Sequence, residues 1–315
     1  MPTRREFLAA APALPLAAHL TARTERHDAT PPARQSPRQS ASMVLAMHQN
    51  TSRAAGFRGS LEGWARAGIR YVELNDGMLD DFLESDTLEG ARSLLADNDL
   101  TPVSASVVAQ DLWLPGPDRA ESLETWRRRC EQLAALGLER IYSPSLTNRR
   151  ITREEWAATP DCIRETGEIA REHGLVAMIE FTRTSTHIGT LATSLRMIRA
   201  ADHPNVRPML DFFHFFAGLS KPGELDLLGP GELAHAHFQD LADGPLEAVT
   251  NDSRLIPGDG VAPVVPTLRA LAAKGYAGAL SVELFRRELV TGDPYEVASE
   301  IRRKCEAVMR EAGVL

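Results

Sequence analysis

Residues 152–180 read TREEWAATPDCIRETGEIAREHGLVAMIE. In the first part of this stretch, apolar residues recur three and four positions apart, the period of a helix with one buried face. Gly174 then stands where a helix commonly closes on a left-handed residue. LVAMIE follows, an apolar run of strand length that ends on an acid. One helix and one strand, in that order and joined by a glycine, make the repeating unit of a parallel α/β fold.

The unit recurs. Candidate strands fall at 43–48, 70–74, 102–108, 139–143, 175–180, 206–210, 234–238 and 279–284, with amphipathic runs such as RAESLETWRRRCEQLAALG at 119–137 between most of them. Eight strand-helix units in about 270 residues predict a single-domain α/β fold, a (β/α)8 TIM barrel. A doubly wound sheet would need fewer units or a glycine-rich nucleotide loop, and no GxGxxG follows the first strand. The weakest unit is the sixth, where AGLSKPGELDLLGPGEL at 217–233 has room only for a short helix.

The barrel is expected to span residues 43–315. Residues 1–22, MPTRREFLAAAPALPLAAHLTA, resemble a twin-arginine signal peptide: Arg4-Arg5, an apolar stretch too short to span a bilayer, and a small-residue end. Pro12 and Pro15 argue against an ordinary amphipathic helix there. Residues 23–42 are polar and rich in Pro, Ser and Arg, and read as a disordered spacer. The expectation is export to the periplasm by the twin-arginine route. Changing Arg4→Lys together with Arg5→Lys is expected to hold the protein in the cytoplasm. Normal export of that double variant, seen by cell fractionation, would remove the reading.

The chain has 35 Lys and Arg against 43 Asp and Glu, and six of the former and three of the latter precede Met43. The barrel therefore carries 29 basic and 40 acidic residues, a balance of −11 that argues against nucleic acid or an anionic membrane as partner. Cys130, Cys162 and Cys305 lie outside any CxxC spacing, and an odd number leaves at least one unpaired, so a disulfide framework is not expected. Trp113, in the loop AQDLWLPGPD, is expected to cover the barrel mouth or to pack on a partner subunit, which leaves a homo-oligomer open.

Reacting groups in such barrels sit at the C-terminal ends of the strands. His48, Glu73, Glu180, Asp211, His237 and Glu283 occupy those ends. The last four come from consecutive strands and should converge on one side of the mouth. Asp211 lies in the apolar run MLDFFHFF at 209–216, and an ionised carboxylate buried without a partner is costly. Three carboxylates and an imidazole together call for one divalent cation. Oxygen-rich ligation with one nitrogen suits Mn²⁺, Mg²⁺ or Co²⁺ and admits Zn²⁺ or Fe²⁺, with copper least suited. Against this stand blander roles, a helix cap for a strand-end Glu or a satisfied core histidine for His235 or His237, which share one face of an alternating strand. His48 and Glu73 suit either substrate hydroxyls or hydrogen bonds within the barrel mouth.

VAMIE ending in Glu180, LDFFH with Asp211 and His214, HAHFQD with His237 and Asp240, SRLIPGDG with Arg254, and GALSVELF with Glu283 together resemble the xylose isomerase-like barrel superfamily. That superfamily includes ketose 3-epimerases, hydroxypyruvate isomerase, inosose dehydratase and 3-dehydroshikimate dehydratase. The resemblance implies that Glu180, Asp211, His237 and Glu283 hold the metal, that Glu180 and Glu283 move the proton through a metal-stabilised enediolate, and that His214 serves as an acid. Arg254 and Asp240 would join His48 and Glu73 in meeting substrate. Ketose 3-epimerases carry a second Glu and an Asn-Arg pair after the first metal carboxylate; here FTRTSTHIG offers Arg183 and His187, and HFQD is closer to the inosose dehydratase side. The activity expected first is isomerisation or epimerisation of a non-phosphorylated sugar or keto-polyol, since export disfavours a phosphorylated one. The alternatives are a lyase acting on a keto-cyclitol or 3-keto-glycoside, and an exported sugar-binding barrel without turnover.

Overall fold

Eight parallel strands close on themselves in the computed structural model, which describes residues 42–315. They are β1 (Val44–His48), β2 (Tyr71–Asn75), β3 (Thr101–Ser106), β4 (Arg140–Pro144), β5 (Val176–Glu180), β6 (Val206–Asp211) and β7 (His235–His237), followed, beyond a short antiparallel pair β8 (Asp240–Leu241) and β9 (Arg254–Leu255), by β10 (Ala279–Val282). Each barrel strand pairs with its neighbours in the chain, and β10 closes the ring between β7 and β1. The predicted (β/α)8 barrel is the observed fold, and every predicted strand boundary lies within two residues of the observed one. The segments read as export signal and spacer lie outside the described residues, Ser42 apart.

The opening stretch shows why. Thr152 caps the helix Arg153–Glu172 by accepting from the Glu155 amide while the Glu155 carboxylate accepts from the Thr152 amide. Gly174 follows at φ +73°, so the chain can reverse into β5 without the cost a side chain would meet there. Along β5, alternate residues face the barrel axis. Met178 packs inside against Tyr142 and Met209, and the next inward residues up the strands are Glu180 and Asp211. The outward set joins the large core under the helices.

The sixth unit holds only the short helix Phe212–Phe216 and a 3₁₀ turn at Pro222–Leu227, as its Pro-Gly pairs require. Trp113 corrects its expectation. It is 2% exposed, stands edge-on to Trp126 at a centroid distance of 6.1 Å, and donates Nε1–H to the Ser143 carbonyl at 3.3 Å. The loop after β3 folds inward onto β4 and the helix Arg119–Ala135, so this indole neither covers the mouth nor reaches a partner. All three cysteines are buried and unpaired.

Candidate active site

Glu180, Asp211 and His237 are the last residues of β5, β6 and β7, and Glu283 directly follows β10. The ladders align them: Asp211 is the register partner of His237, and Ser281 pairs with His237 from the other side. One donor atom from each of the four lies within 4.8 Å of the others, and all four are buried. His237 Nδ1 faces the three carboxylates together, 3.2 Å from Asp211 Oδ2, 3.3 Å from Glu180 Oε1 and 3.4 Å from Glu283 Oε2. The convergence expected from strand order is therefore present.

Glu180 Oε1 is buried without a hydrogen-bond partner. An orphaned carboxylate oxygen beside two other carboxylates is unfavourable unless positive charge arrives there. Three hard oxygens and one imidazole nitrogen make a donor set that fits a divalent ion. Burial pushes Glu180 up to about 7, against the nearby charge of His237. Burial acts on Glu283 too, but the charges of Arg254 and His237 outweigh it and bring it to about 2.

Beneath this cluster lies a second layer. Glu73 is fully buried with its oxygens 3.0 Å from His235 Nε2 and 3.3 Å from His237 Nε2. Burial alone would raise Glu73, but the two imidazoles hold it well below the ordinary carboxylate range. Of the two roles open to it, substrate contact or hydrogen bonding within the barrel, Glu73 is placed for the second: it lies off the cavity lining and holds the ring of His237 so that Nδ1 points up. His48 is likewise fully buried, Nδ1 accepting from the Asn50 amide and Nε2 lying 3.2 Å from Tyr142 Oη, so it does not reach the cavity wall either.

Asp240 is the second correction. Its carboxylate accepts from the amides of Leu241 at 2.8 Å, Gly258 at 3.0 Å and Ala262 at 2.9 Å, clamping the segment that follows β9. Gly260 closes the same clamp: a Cβ there would come within 2.3 Å of the Leu241 carbonyl. The clamp fixes β9 so that Arg254 faces inward. Its Nη1 donates to Asp211 Oδ2 at 2.7 Å and Glu283 Oε2 at 2.9 Å, and its guanidinium lies 4.4 Å over the Phe213 ring. His214 Nδ1 accepts from the Arg183 amide at 3.2 Å, and its Nε2 lies 3.1 Å from Arg254 Nη2.

Four positions escaped sequence reasoning. Asn50 donates to Glu283 Oε1 at 3.0 Å, and Asn75 donates to Asn50 Oδ1 at 3.3 Å. Gln239 donates to Asp211 Oδ2 at 2.9 Å, and Tyr142 contributes its phenol. Asn50 and Gln239 each stand two residues past a strand end already singled out, the one available signal. The cavity above these groups holds about 420 Å³ and has an apolar side formed by Val108, Pro144, Leu146 and Phe285. Arg183 lies on its lining, but donates to the carbonyls of Ala217, Leu246 and Val249.

Residues 61–308 match the xylose isomerase-like TIM barrel family. An inosose isomerase from Halalkalibacterium halodurans is 26% identical over 235 residues, covering 72% of this chain and 82% of that protein. A 3-dehydroshikimate dehydratase from Pseudomonas putida is 27% identical over 170 residues, 52% of this chain and 26% of that protein. Among solved structures, the IOLI protein with a bound zinc atom superposes with a TM-score of 0.79 at 22% identity, covering 86% of this chain and 99% of that one. With a family match over well more than half its length, a closed eight-stranded barrel and the acidic cluster at the strand ends, this chain belongs to the xylose isomerase-like TIM barrel family.

Proposed function

We propose that the protein is a metal-dependent isomerase or epimerase of a non-phosphorylated sugar or keto-polyol, with Glu180, Asp211, His237 and Glu283 holding one divalent ion. The observation that carries this reading is the convergence of four buried donor atoms within 4.8 Å, with Glu180 Oε1 left unpartnered. A zinc-bound relative of the same fold and the enzyme names of the related chains support it. Manganese is the favoured ion on the oxygen-rich donor set. Bound there, such an ion would polarise adjacent substrate oxygens and make the intervening C–H acidic.

The protein's own groups then do the rest. Glu180, raised by burial, takes the proton, and Glu283, ionised beside Arg254, picks one up from solvent in the open cavity before delivering it to carbon. His214 and Arg254 present a substrate-oxygen site. With Nδ1 accepting a backbone N–H, the proton of His214 is on Nε2, which meets an Arg254 N–H 3.1 Å away; an oxygen between these two donors satisfies both. Arg183 on the lining is engaged with the carbonyls of Ala217, Leu246 and Val249, and Nη1 of Arg254 with Asp211 and Glu283. A dehydratase among the relatives favours a second reading, elimination of a β-hydroxyl from the same site with His214 as acid.

Glu73→Gln is expected to weaken metal affinity about 10- to 100-fold, since the carboxylate that orients His237 would lose its charge. Titration with a competing chelator at fixed pH checks this, and unchanged affinity would make Glu73 a packing residue only. The test of the function itself is metal content of the untreated protein beside Asp211→Asn, followed by incubation with a keto-inositol and with D-fructose in D₂O. Stoichiometric metal lost in the variant, with deuterium entering substrate and no other mass change, supports the isomerase. A product lighter by water supports elimination. Metal-free protein that neither binds nor exchanges either sugar would sink both.

A further inference from the structure

Tyr142 ends on the wall of the same cavity, and nothing above uses it. Its partner His48 settles where its proton goes. His48 Nδ1 accepts the backbone N–H of Asn50 at 3.0 Å, and a backbone amide cannot exchange roles as a hydroxyl can. Nδ1 therefore carries no proton, and the ring proton of His48 is on Nε2. For the same reason the 3.8 Å approach of Nδ1 to Glu283 Oε1 is not an ion pair: a lone pair faces the carboxylate, while Asn50 Nδ2 supplies its hydrogen bond.

Nε2 lies 3.2 Å from Tyr142 Oη. With Nε2 as donor, the phenol oxygen is the acceptor, and the phenol's own hydrogen is left over. Among the described residues Oη has no second polar partner. Yet the side chain is 2% exposed, its ring stands edge-on to His237 at 5.2 Å, and the neighbouring cavity walls are Glu180 and Glu283. A buried O–H of this kind finds an acceptor in nearly every folded protein, and here the one place left for it is the cavity.

We propose that Tyr142 donates its phenol hydrogen bond to the substrate oxygen on which negative charge gathers as Glu180 removes the neighbouring proton. This rests on the enolising reading given above. A neutral donor suits the position because it stabilises a developing oxyanion without adding charge to a cluster already holding Arg254. Donation from His48 into Oη polarises the O–H further, so His48 acts through the tyrosine and its burial away from the cavity is explained. No proton leaves Tyr142; the hydrogen bond shortens as the oxygen charges and relaxes when Glu283 returns a proton to carbon.

The test compares wild type with Tyr142→Phe, both loaded with Mn²⁺, in D₂O with a keto-inositol. Expected is a fall in kcat for deuterium exchange of about 100-fold or more, with KM, bound metal and melting temperature near wild type. A phenylalanine variant that exchanges at the wild-type rate overturns the assignment and leaves the isomerase standing. Wild-type protein that neither exchanges deuterium nor melts higher with the keto-inositol overturns both. Where the variant does not fold, crystals of the wild type soaked with the keto-inositol decide: a ligand oxygen within about 3.2 Å of Oη supports the donor, and its absence removes it.

Discussion

Glu180→Gln is expected to lower solvent deuterium exchange into a keto-inositol by about 10²- to 10⁴-fold, the range that loss of a positioned base spans. The two glutamates that flank the reaction are not equivalent. Burial pushes Glu180 to about 7, while Arg254 and His237 outweigh burial at Glu283 and bring it to about 2. A pair of acids driven apart in this way divides the labour, and the one with the higher value is the stronger base once ionised. Glutamine keeps the size and one oxygen ligand, so metal should remain bound, with reduced affinity, through Asp211, His237 and Glu283. The pH sign follows from the same shift: Glu180 is active when deprotonated, so exchange rises with pH toward neutrality, on a limb moved to lower pH by the bound cation. Metal binding should likewise tighten with pH, as it displaces protons from Glu180 and from His237, which Glu73 and Glu283 hold charged against the effect of burial. A metal-loaded Glu180→Gln protein that exchanges at the wild-type rate would remove Glu180 as the base.

The barrel was legible because its signals are local. Helical periodicity, a glycine stop and a short apolar run repeat eight times, and the rule that chemistry sits at strand ends then names the cluster with no alignment. Glu180, Asp211, His237 and Glu283 were found because each is the polar end of an apolar run. That rule does not tell up from down within the barrel. His48 ends β1, but Glu73 stands two residues before the end of β2, and the two pair in register with both side chains fully buried below the cavity. Asp240 failed for a different reason: whether an aspartate next to a metal ligand meets substrate or ties down a loop depends on the amides of Gly258 and Ala262, some twenty residues on. Tyr142 was hidden because it sits two residues before the end of β4, where an aromatic residue reads as core, and only the hydrogen bond from Asn50 to His48 frees its proton.

Arg254→Met carries the largest expected effect on stability, and it separates the charge of the guanidinium from its packing. Arg254 is 2% exposed, donates to both Asp211 and Glu283, and stacks on Phe213 and Phe285. Methionine keeps much of the stem that lies on the two rings and removes the charge. In metal-free protein the two carboxylates would then be buried with the imidazole of His237 as their remaining cation. Removing one partner from such a group costs about 3–5 kcal/mol. For a chain of this size each kcal/mol moves the melting point by about 2–4 °C, so a fall of roughly 6–20 °C is expected in EDTA. A divalent ion brings back positive charge at the same oxygens, and saturation at about 1,000 times Kd returns about 4 kcal/mol. Manganese should therefore raise the melting temperature of Arg254→Met by more than it raises that of the wild type, in which the guanidinium already occupies two of the carboxylate oxygens. Calorimetric scans of both proteins with EDTA and with Mn²⁺ read the difference directly. Equal melting temperatures in EDTA would mean that Asp211 and Glu283 are neutralised by protons instead of by Arg254, and the charge balance described for the site would have to be redrawn around protonated carboxyls.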